Sequence, residues 1–250
     1  MTIPLVACTF FGGNLALTRR FLVAHGYFKH DLSASRFCRR LHMIAKEWWR
    51  TLFRLLGQVF VRTRSKPQEN QGNHTPEQCY VIDSMPVLAC DNIRIRRCKL
   101  FQGPEYRGYN ASKRRYFYGL KVHLLITGAG EPVEFVLTPG STADITAFKS
   151  FDLDLPEEAV ILADKAYTDY CEEELLREAG QILLQPQRKA NSKRPLSPCL
   201  EFLNKPIRQK IETAFSLVTQ RFPRHIHAVT AEGFVLKVTC FLLAYSFQCL

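Results

Sequence analysis

Apolar residues recur at helical spacing through positions 1–61 and at strand spacing beyond position 79, and the polar run RTRSKPQENQGNHTPEQ (62–78) separates the two regimes. After Asn14, a helix-capping residue type, LALTRRFLVAH carries apolar residues three and four apart and stops at Gly26, which predicts a helix with a glycine at its C-terminal end. Ser33 precedes SRFCRRLHMIAKEWWRTLFRLLGQVF, in which Phe37, Leu41, Ile44, Trp48, Leu52 and Leu55 recur every three or four residues. This predicts a second and longer helix, continuous or broken. Two helices joined by a short turn, the second opening with Arg36, Arg39 and Arg40, fit a helix-turn-helix that reads DNA and fit equally a helical hairpin packed on a core. The run 62–78 holds no large apolar residue and contributes nothing to a core, so it reads as a linker or exposed loop between a helical region (1–61) and a larger domain (79–250).

In the larger domain YVIDSMPV, YFYGLKVHLLIT and PVEFVLT predict three strands in an antiparallel meander, with TGAGEP turning between the last two. Asp144 is placed to cap a short helix, DITAFKSF, and AVILADKAY is a fourth, strongly apolar strand that ends at an acid. An amphipathic helix, YCEEELLREAG, closes at Gly180; ILLQP is a short fifth strand; QRKANSKRPLSPC is a basic, proline-punctuated loop. A last helix, KPIRQKIETAFSLVTQRF, puts Pro206 near its start and aligns Ile207, Ile211, Phe215, Val218 and Phe222 on one face. The order βββαβαβα is the ribonuclease-H-like α/β arrangement, a mixed sheet whose first three strands are antiparallel and whose later strands alternate with helices.

Composition narrows the classes. With 46% hydrophobic and 12% aromatic residues the chain is a folded globular protein, and its 250 residues suffice for one large domain or a domain with a smaller appendage. Lysine and arginine outnumber the acids 34 to 23, and the formal charge of +11 favours a polyanionic partner over a merely basic soluble protein. The apolar stretches Ile3–Phe11 and Phe241–Phe247 fall far short of the ~20 residues that span a bilayer, and the amino terminus lacks the basic start of a signal peptide, so a cytoplasmic protein without a membrane partner is expected. Nine cysteines without a C-x-x-C pair predict reduced, mostly buried thiols, neither a disulfide framework nor a zinc module.

Three acids carry the candidate chemistry. Asp83 sits inside the first strand among apolar neighbours, where a carboxylate requires compensation. Asp164 ends the fourth strand, at the kind of strand terminus where ligand sites gather in α/β sheets. Glu212 follows Ile211 on the last helix and flanks its buried stripe, with Arg208 four residues earlier. Converging carboxylates repel without a cation, and hard oxygen ligands suit Mg²⁺ or Mn²⁺, so a two-metal phosphoryl-transfer site is expected.

The segments GYFKHDLSASRFCRRLH, VIDSMPV, CDNIRIRRCK, GLKVHLL, TPGSTADITAF, ILADKAYTDY, RQKIETAFS and HAVTAEGFVLKV together resemble the DDE transposases of bacterial insertion elements, most closely the insertion sequence 982 family, over nearly the whole chain. The resemblance implies Asp83, Asp164 and Glu212 as the first, second and third acids of a triad that ligates two Mg²⁺ ions. It further implies double-stranded DNA partners, the terminal inverted repeats and a target, a homo-oligomer on DNA, and a bacterial, nucleoid-associated location. Of the tyrosine, arginine and lysine signature that many such enzymes carry around the glutamate, only Arg208 stands in register; Lys205 and Thr219 occupy the other two positions. Members carry an additional helical segment at the amino terminus, and this chain is expected to begin inside it, which implies a shortened copy.

Further basic residues are candidates for DNA contact: Lys165 beside Asp164, Arg107, Lys113, Arg114 and Arg115 in the aromatic-rich FQGPEYRGYNASKRRYFYG, and Arg188, Lys189, Lys193 and Arg194 in the loop before the last helix. The first segment reads alternatively as an edge loop with a buried aromatic anchor, and the second as an ordinary solvated loop. The pair His225 and His227 and the strand residue His123 lack the partners of a zinc site and read as surface or core histidines. A nuclease on the same fold, and a catalytically silent DNA-binding remnant, are the rival readings.

Overall fold

The computed structural model describes residues 1–30, 32–64, 78–111, 113–189, 191–223 and 225–250. It contains two compact units: Met1–Leu55 together with Ser216–Leu250, and Leu56–Phe215. Residues 216–250 thus group with the amino-terminal helices, whereas the sequence pattern places them with the sheet. The segment expected as a linker, 62–78, lies for the most part outside the described residues.

The first unit is helical. Helix α1 (Thr2–Phe10) packs against α2 (Leu15–Ala24), whose first turn is closed by Asn14 Oδ1 accepting from the Leu17 N–H at 3.0 Å. Gly26, at φ 74°, follows α2 in the left-handed conformation expected of a glycine terminator. Ser33 caps α3 (Ala34–Met43), and an extended Ile44 (ψ 113°) breaks the long predicted helix before α4 (Lys46–Arg64). The break resets the helical phase. Phe37 and Leu41 are buried as predicted, but beyond Ile44 the buried stripe is Trp49, Phe53, Leu56 and Phe60, while the predicted Trp48 and Leu55 are 66% and 60% exposed. The last helix, α8 (Ala231–Gln248), has no counterpart in the sequence pattern. Thr230 caps it, Val238–Ser246 are all buried within it, and the apolar stretch Phe241–Phe247 is for the most part core. No helix among the described residues is long and apolar enough to cross a membrane.

The second unit is built on a six-stranded mixed sheet of β1 (Cys79–Asp91), β2 (Arg107–Asn110), β3 (Arg115–Thr127), β4 (Pro132–Pro139), β5 (Val160–Ala163) and β6 (Leu183–Pro186). The order is β2-β3-β1-β5-β6, with β4 also pairing β3; β1, β3 and β4 run antiparallel, and β1, β5 and β6 run parallel. With α5 (Asp144–Phe148), α6 (Tyr170–Gly180) and α7 (Pro198–Arg221) placed between and after the later strands, this is the ribonuclease-H-like arrangement. One face of the sheet carries Tyr80, Ile82, Leu125, Ile161, Ala163, Phe148 and Tyr167 in a single apolar cluster. The carboxy-terminal part of α4 lies close to β4. A Cβ on Gly57 would stand 2.1 Å from the Val133 carbonyl oxygen, so only glycine permits that approach.

Three local expectations need correction. The segment FQGPEYRGYNASKRRYFYG, read as a DNA-contacting stretch or an edge loop with a buried aromatic anchor, contains a further strand, β2, which pairs with β3 from Asn110 opposite Arg115 onward; Phe101 is its buried aromatic residue. Helix α7 starts at Pro198, with Ser197 Oγ accepting from the Leu200 N–H at 3.3 Å, so Pro206 lies inside the helix and not near its start. The cysteines are all free, yet only Cys8, Cys79 and Cys240 are buried, because most sit in amphipathic helices and edge segments and not in strand interiors.

Candidate active site

Parallel register brings two acids together. Val81 of β1 pairs with Leu162 of β5, and two residues further along each strand stand Asp83 and Asp164. Side chains two residues apart share a face, so both carboxylates leave the sheet on the same side. Asp164 follows the end of β5, where its Oδ1 caps a 3₁₀ turn (Lys165–Tyr167) by accepting from the Ala166 N–H at 2.5 Å. Asp83 is half-buried mid-strand opposite Leu124, and its Oδ1 accepts the Ser84 N–H at 2.7 Å.

Burial raises the Asp83 carboxyl from 3.8 to about 6, the Ser84 hydrogen bond opposes this, the charges of Asp164 and Asp144 add to it, and Arg208 on α7 lowers it. Burial is thus the main reason that this carboxyl holds its proton, with the neighbouring acids adding to it and Arg208 opposing it. Glu212, one turn beyond Arg208, is exposed. Among the described residues no three of His, Cys, Asp and Glu are gathered closely enough to hold a metal ion, so the structure brings together Asp83 and Asp164 and does not bring Glu212 to them.

The opposite face of the same strands carries a polar network that local pattern does not reveal. Ser84 pairs with His123 across β1 and β3, and Lys121 lies two residues away on that face. Asp144 accepts from Ser84 Oγ at 2.9 Å and from Lys121 Nζ at 3.1 Å, and His123 Nδ1 lies 3.7 Å from it. Asp144 therefore does not cap α5: the cap position is Ala143, without a side-chain bond, and the Asp144 carboxylate turns instead to the lysine beneath the sheet. His123 is fully buried with Nε2 2.9 Å from Thr138 Oγ1 and Nδ1 3.4 Å from the Tyr167 hydroxyl. Burial lowers its pKa from 6.5 to about 4, so the ring is neutral near pH 7; Asp144 pulls upward and Lys121 further down. Burial raises the Tyr167 phenol far above its ordinary value. The signal for this network is Lys121 and His123 two apart in an otherwise apolar strand, which demands a buried acceptor.

The predicted DNA-contacting residues fall into two groups. Arg107, Lys113, Arg114 and Arg115 are exposed on the β2–β3 hairpin, where Arg107 lies 4.1 Å over the Tyr116 ring and Arg115 pairs with Asp91 at 3.3 Å. In the loop before α7, Arg188 is tied to Glu173 by two 2.7 Å bonds and Arg194 is bonded to Glu174, whereas Lys189 and Lys193 form no such pair among the described residues. Lys165 is exposed beside Asp164, and Lys165 and Arg208 line one common cavity.

The family model of the transposase DDE domain matches residues 74–247. Among solved structures the chain is similar to a piggyBac transposase synaptic complex with hairpin DNA, at 13% identity and a TM-score of 0.48, over 69% of this chain and 47% of that one. The chain thus spans about half the length of that transposase. No curated protein matches.

Proposed function

The chain belongs to the family of transposase DDE domains, and from that premise we propose that it cleaves the ends of a mobile element and joins the exposed 3′-hydroxyls to target DNA. Within the family its kin are the insertion sequence 982 elements of bacteria, which makes its setting the nucleoid and its substrates the terminal inverted repeats. The observation that carries the reading is the register that sets Asp83 beside Asp164 with Arg208 close by.

The donor set fits a divalent cation. Two adjacent carboxylates are hard oxygen ligands of the kind Mg²⁺ and Mn²⁺ select, and the elevated proton affinity of Asp83 marks a position that gains from added positive charge. Asp83 and Asp164 would hold two such ions; Glu212, which the structure leaves apart from them, would have to close on them as the third acid, from the same side of α7 as Arg208. Bound there, the pair would supply charge to the phosphodiester and lower the pKa of the attacking water or hydroxyl. The protein's own groups do the positioning. Arg208 and Lys165 engage phosphate oxygens beside the carboxylates, and Arg107, Lys113, Arg114, Arg115, Lys189 and Lys193 track the backbone further away, with Arg194 at the loop's edge. Because two element ends must be joined, the active species is a homo-oligomer on DNA.

The test is incubation of the purified protein with labelled DNA carrying the flanking inverted repeats, with Mg²⁺ or EDTA. Metal-dependent joined products are the expected result. Nicks without joining would identify a nuclease instead, and binding without either product a silent DNA-binding remnant.

A further inference from the structure

The hydrogen bonds of the sheet stop short of the two carboxylates. The ladder between β1 and β5 ends at Val81 and Leu162; beyond that pair β5 stays with β6 alone, and the chain then leaves the sheet in the turn Lys165–Tyr167. Asp83 is held from its other side by β3, opposite Leu124, whereas Asp164 stands where no ladder contact joins it to β1 among the described residues. A site that works by geometry needs its ligands fixed by packing and by outer hydrogen bonds, and here the sheet alone does not fix them.

Tyr167 crosses that gap on the buried side. Its N–H donates to the Asp164 carbonyl oxygen at 3.3 Å, closing the same turn whose Ala166 N–H the Asp164 carboxylate accepts. Its hydroxyl is hydrogen-bonded to the Ser84 side chain and lies 3.4 Å from His123 Nδ1. Ser84 donates its own hydroxyl proton to Asp144 at 2.9 Å, so it accepts that of Tyr167, and its N–H donates to Asp83 Oδ1 at 2.7 Å. Hydrogen bonds thus run from Asp164 through one tyrosine and one serine to Asp83. The path is rigid: Tyr167 is fully buried, its ring stands edge-on to Phe148 at 6.2 Å and 87°, and Lys121 holds Asp144 at 3.1 Å. In this apolar cluster a phenylalanine would fill the same space, so packing accounts for the ring and the partners account for the hydroxyl.

Resting on the reading of Asp83 and Asp164 as ligands of divalent ions, we infer that Tyr167 is a positioning residue, which through Ser84 fixes the distance between the two carboxylates and so the affinity of the site for metal. The experiment titrates the full chain with Mn²⁺ in the absence of DNA, at about pH 8 so that Asp83 is ionised, and follows the free ion by electron paramagnetic resonance. Tyr167→Phe keeps the ring and removes the tie; Ser84→Ala removes its other end and decides the matter if the tyrosine variant does not fold. The expected result is Mn²⁺ binding about tenfold weaker than wild type in each, the size typical of outer partners of metal ligands. The double variant should bind no more weakly than Ser84→Ala alone, because both changes remove the same bond. The Mg²⁺ concentration for half-maximal cleavage should rise by a similar factor. A tyrosine that serves packing alone predicts lower stability with wild-type Mn²⁺ affinity; that result, or losses that multiply in the double variant, overturns the tie and leaves the transposase reading standing. Mn²⁺ binding that Asp83→Asn does not weaken overturns the metal-site reading and the inference with it.

Discussion

Asp83 and Asp164 are neighbours because the parallel pairing of Val81 with Leu162 continues for two residues past the last ladder contact. Each strand turns a carboxylate to the same side at that step. A one-residue slip would send one of them into the apolar cluster on the other face, so the register of β1 against β5 is part of the site.

On the proposed function, replacing Asp83 with Asn is expected to abolish metal-dependent cleavage while leaving duplex binding intact, since it removes a carboxylate charge with little change of shape. Glu212→Gln is expected to do the same. Cleavage assays beside gel-shift titrations check both, and a Glu212→Gln variant that cuts at the wild-type rate would remove Glu212 from the triad.

Two titrations of opposite sign should nearly cancel in the metal-free protein. Asp83 rises on folding from 3.8 to about 6, so the native state binds the extra proton in that window and loses stability as pH increases through it. His123 falls from 6.5 to about 4, so the unfolded state binds the extra proton and stability increases with pH over nearly the same range. Each amounts to at most about 3 kcal/mol, because a tenfold change in proton affinity is worth ~1.4 kcal/mol. Denaturant melts in EDTA between pH 4 and 7 should therefore be flat for the wild type, rise with pH for Asp83→Asn and fall for His123→Gln; parallel profiles for all three would refute the assignment.

Asp144→Ala should destabilise the second unit by about 1–3 kcal/mol, because it leaves the half-buried Lys121 ammonium with its bond to the Thr142 carbonyl but without its counter-charge, and takes the acceptor from the Ser84 hydroxyl. The double variant Asp144→Leu with Lys121→Met should recover part of the loss. Equilibrium unfolding of the wild type, the single variants and the double variant gives the coupling directly.

Gly57→Ala should be costly despite its conservative look, on the order of 2 kcal/mol or more, because the new methyl would meet the Val133 carbonyl oxygen at 2.1 Å. A thermal midpoint equal to the wild type's would show that α4 can withdraw from β4 without penalty.

Much of this protein is legible in its residues. Alternation and turn chemistry locate the strands from YVIDSMPV to ILLQP, and helical spacing locates the stripe of Ile207, Ile211 and Val218, because these are local properties of the backbone. Asn14 and Ser33 mark helix starts for the same reason. Local rules fail where a distant partner decides the outcome. Asp144 has a plausible local role as a cap and takes a half-buried lysine instead; Trp48 and Trp49 exchange places once Ile44 breaks the helix.

Sequence by itself determined the element order, the positions of the acids along the chain and the basic surface. Tertiary structure alone decided which of those acids meet: the β1–β5 register sets Asp83 beside Asp164, while Glu212 remains exposed on α7. It also decided that Arg188, and not its neighbour Lys189, is spent on Glu173. The reason is physical: propensity and periodicity act within a few residues, whereas the proximity of two charges depends on strand register and helix packing, which only the whole sheet specifies.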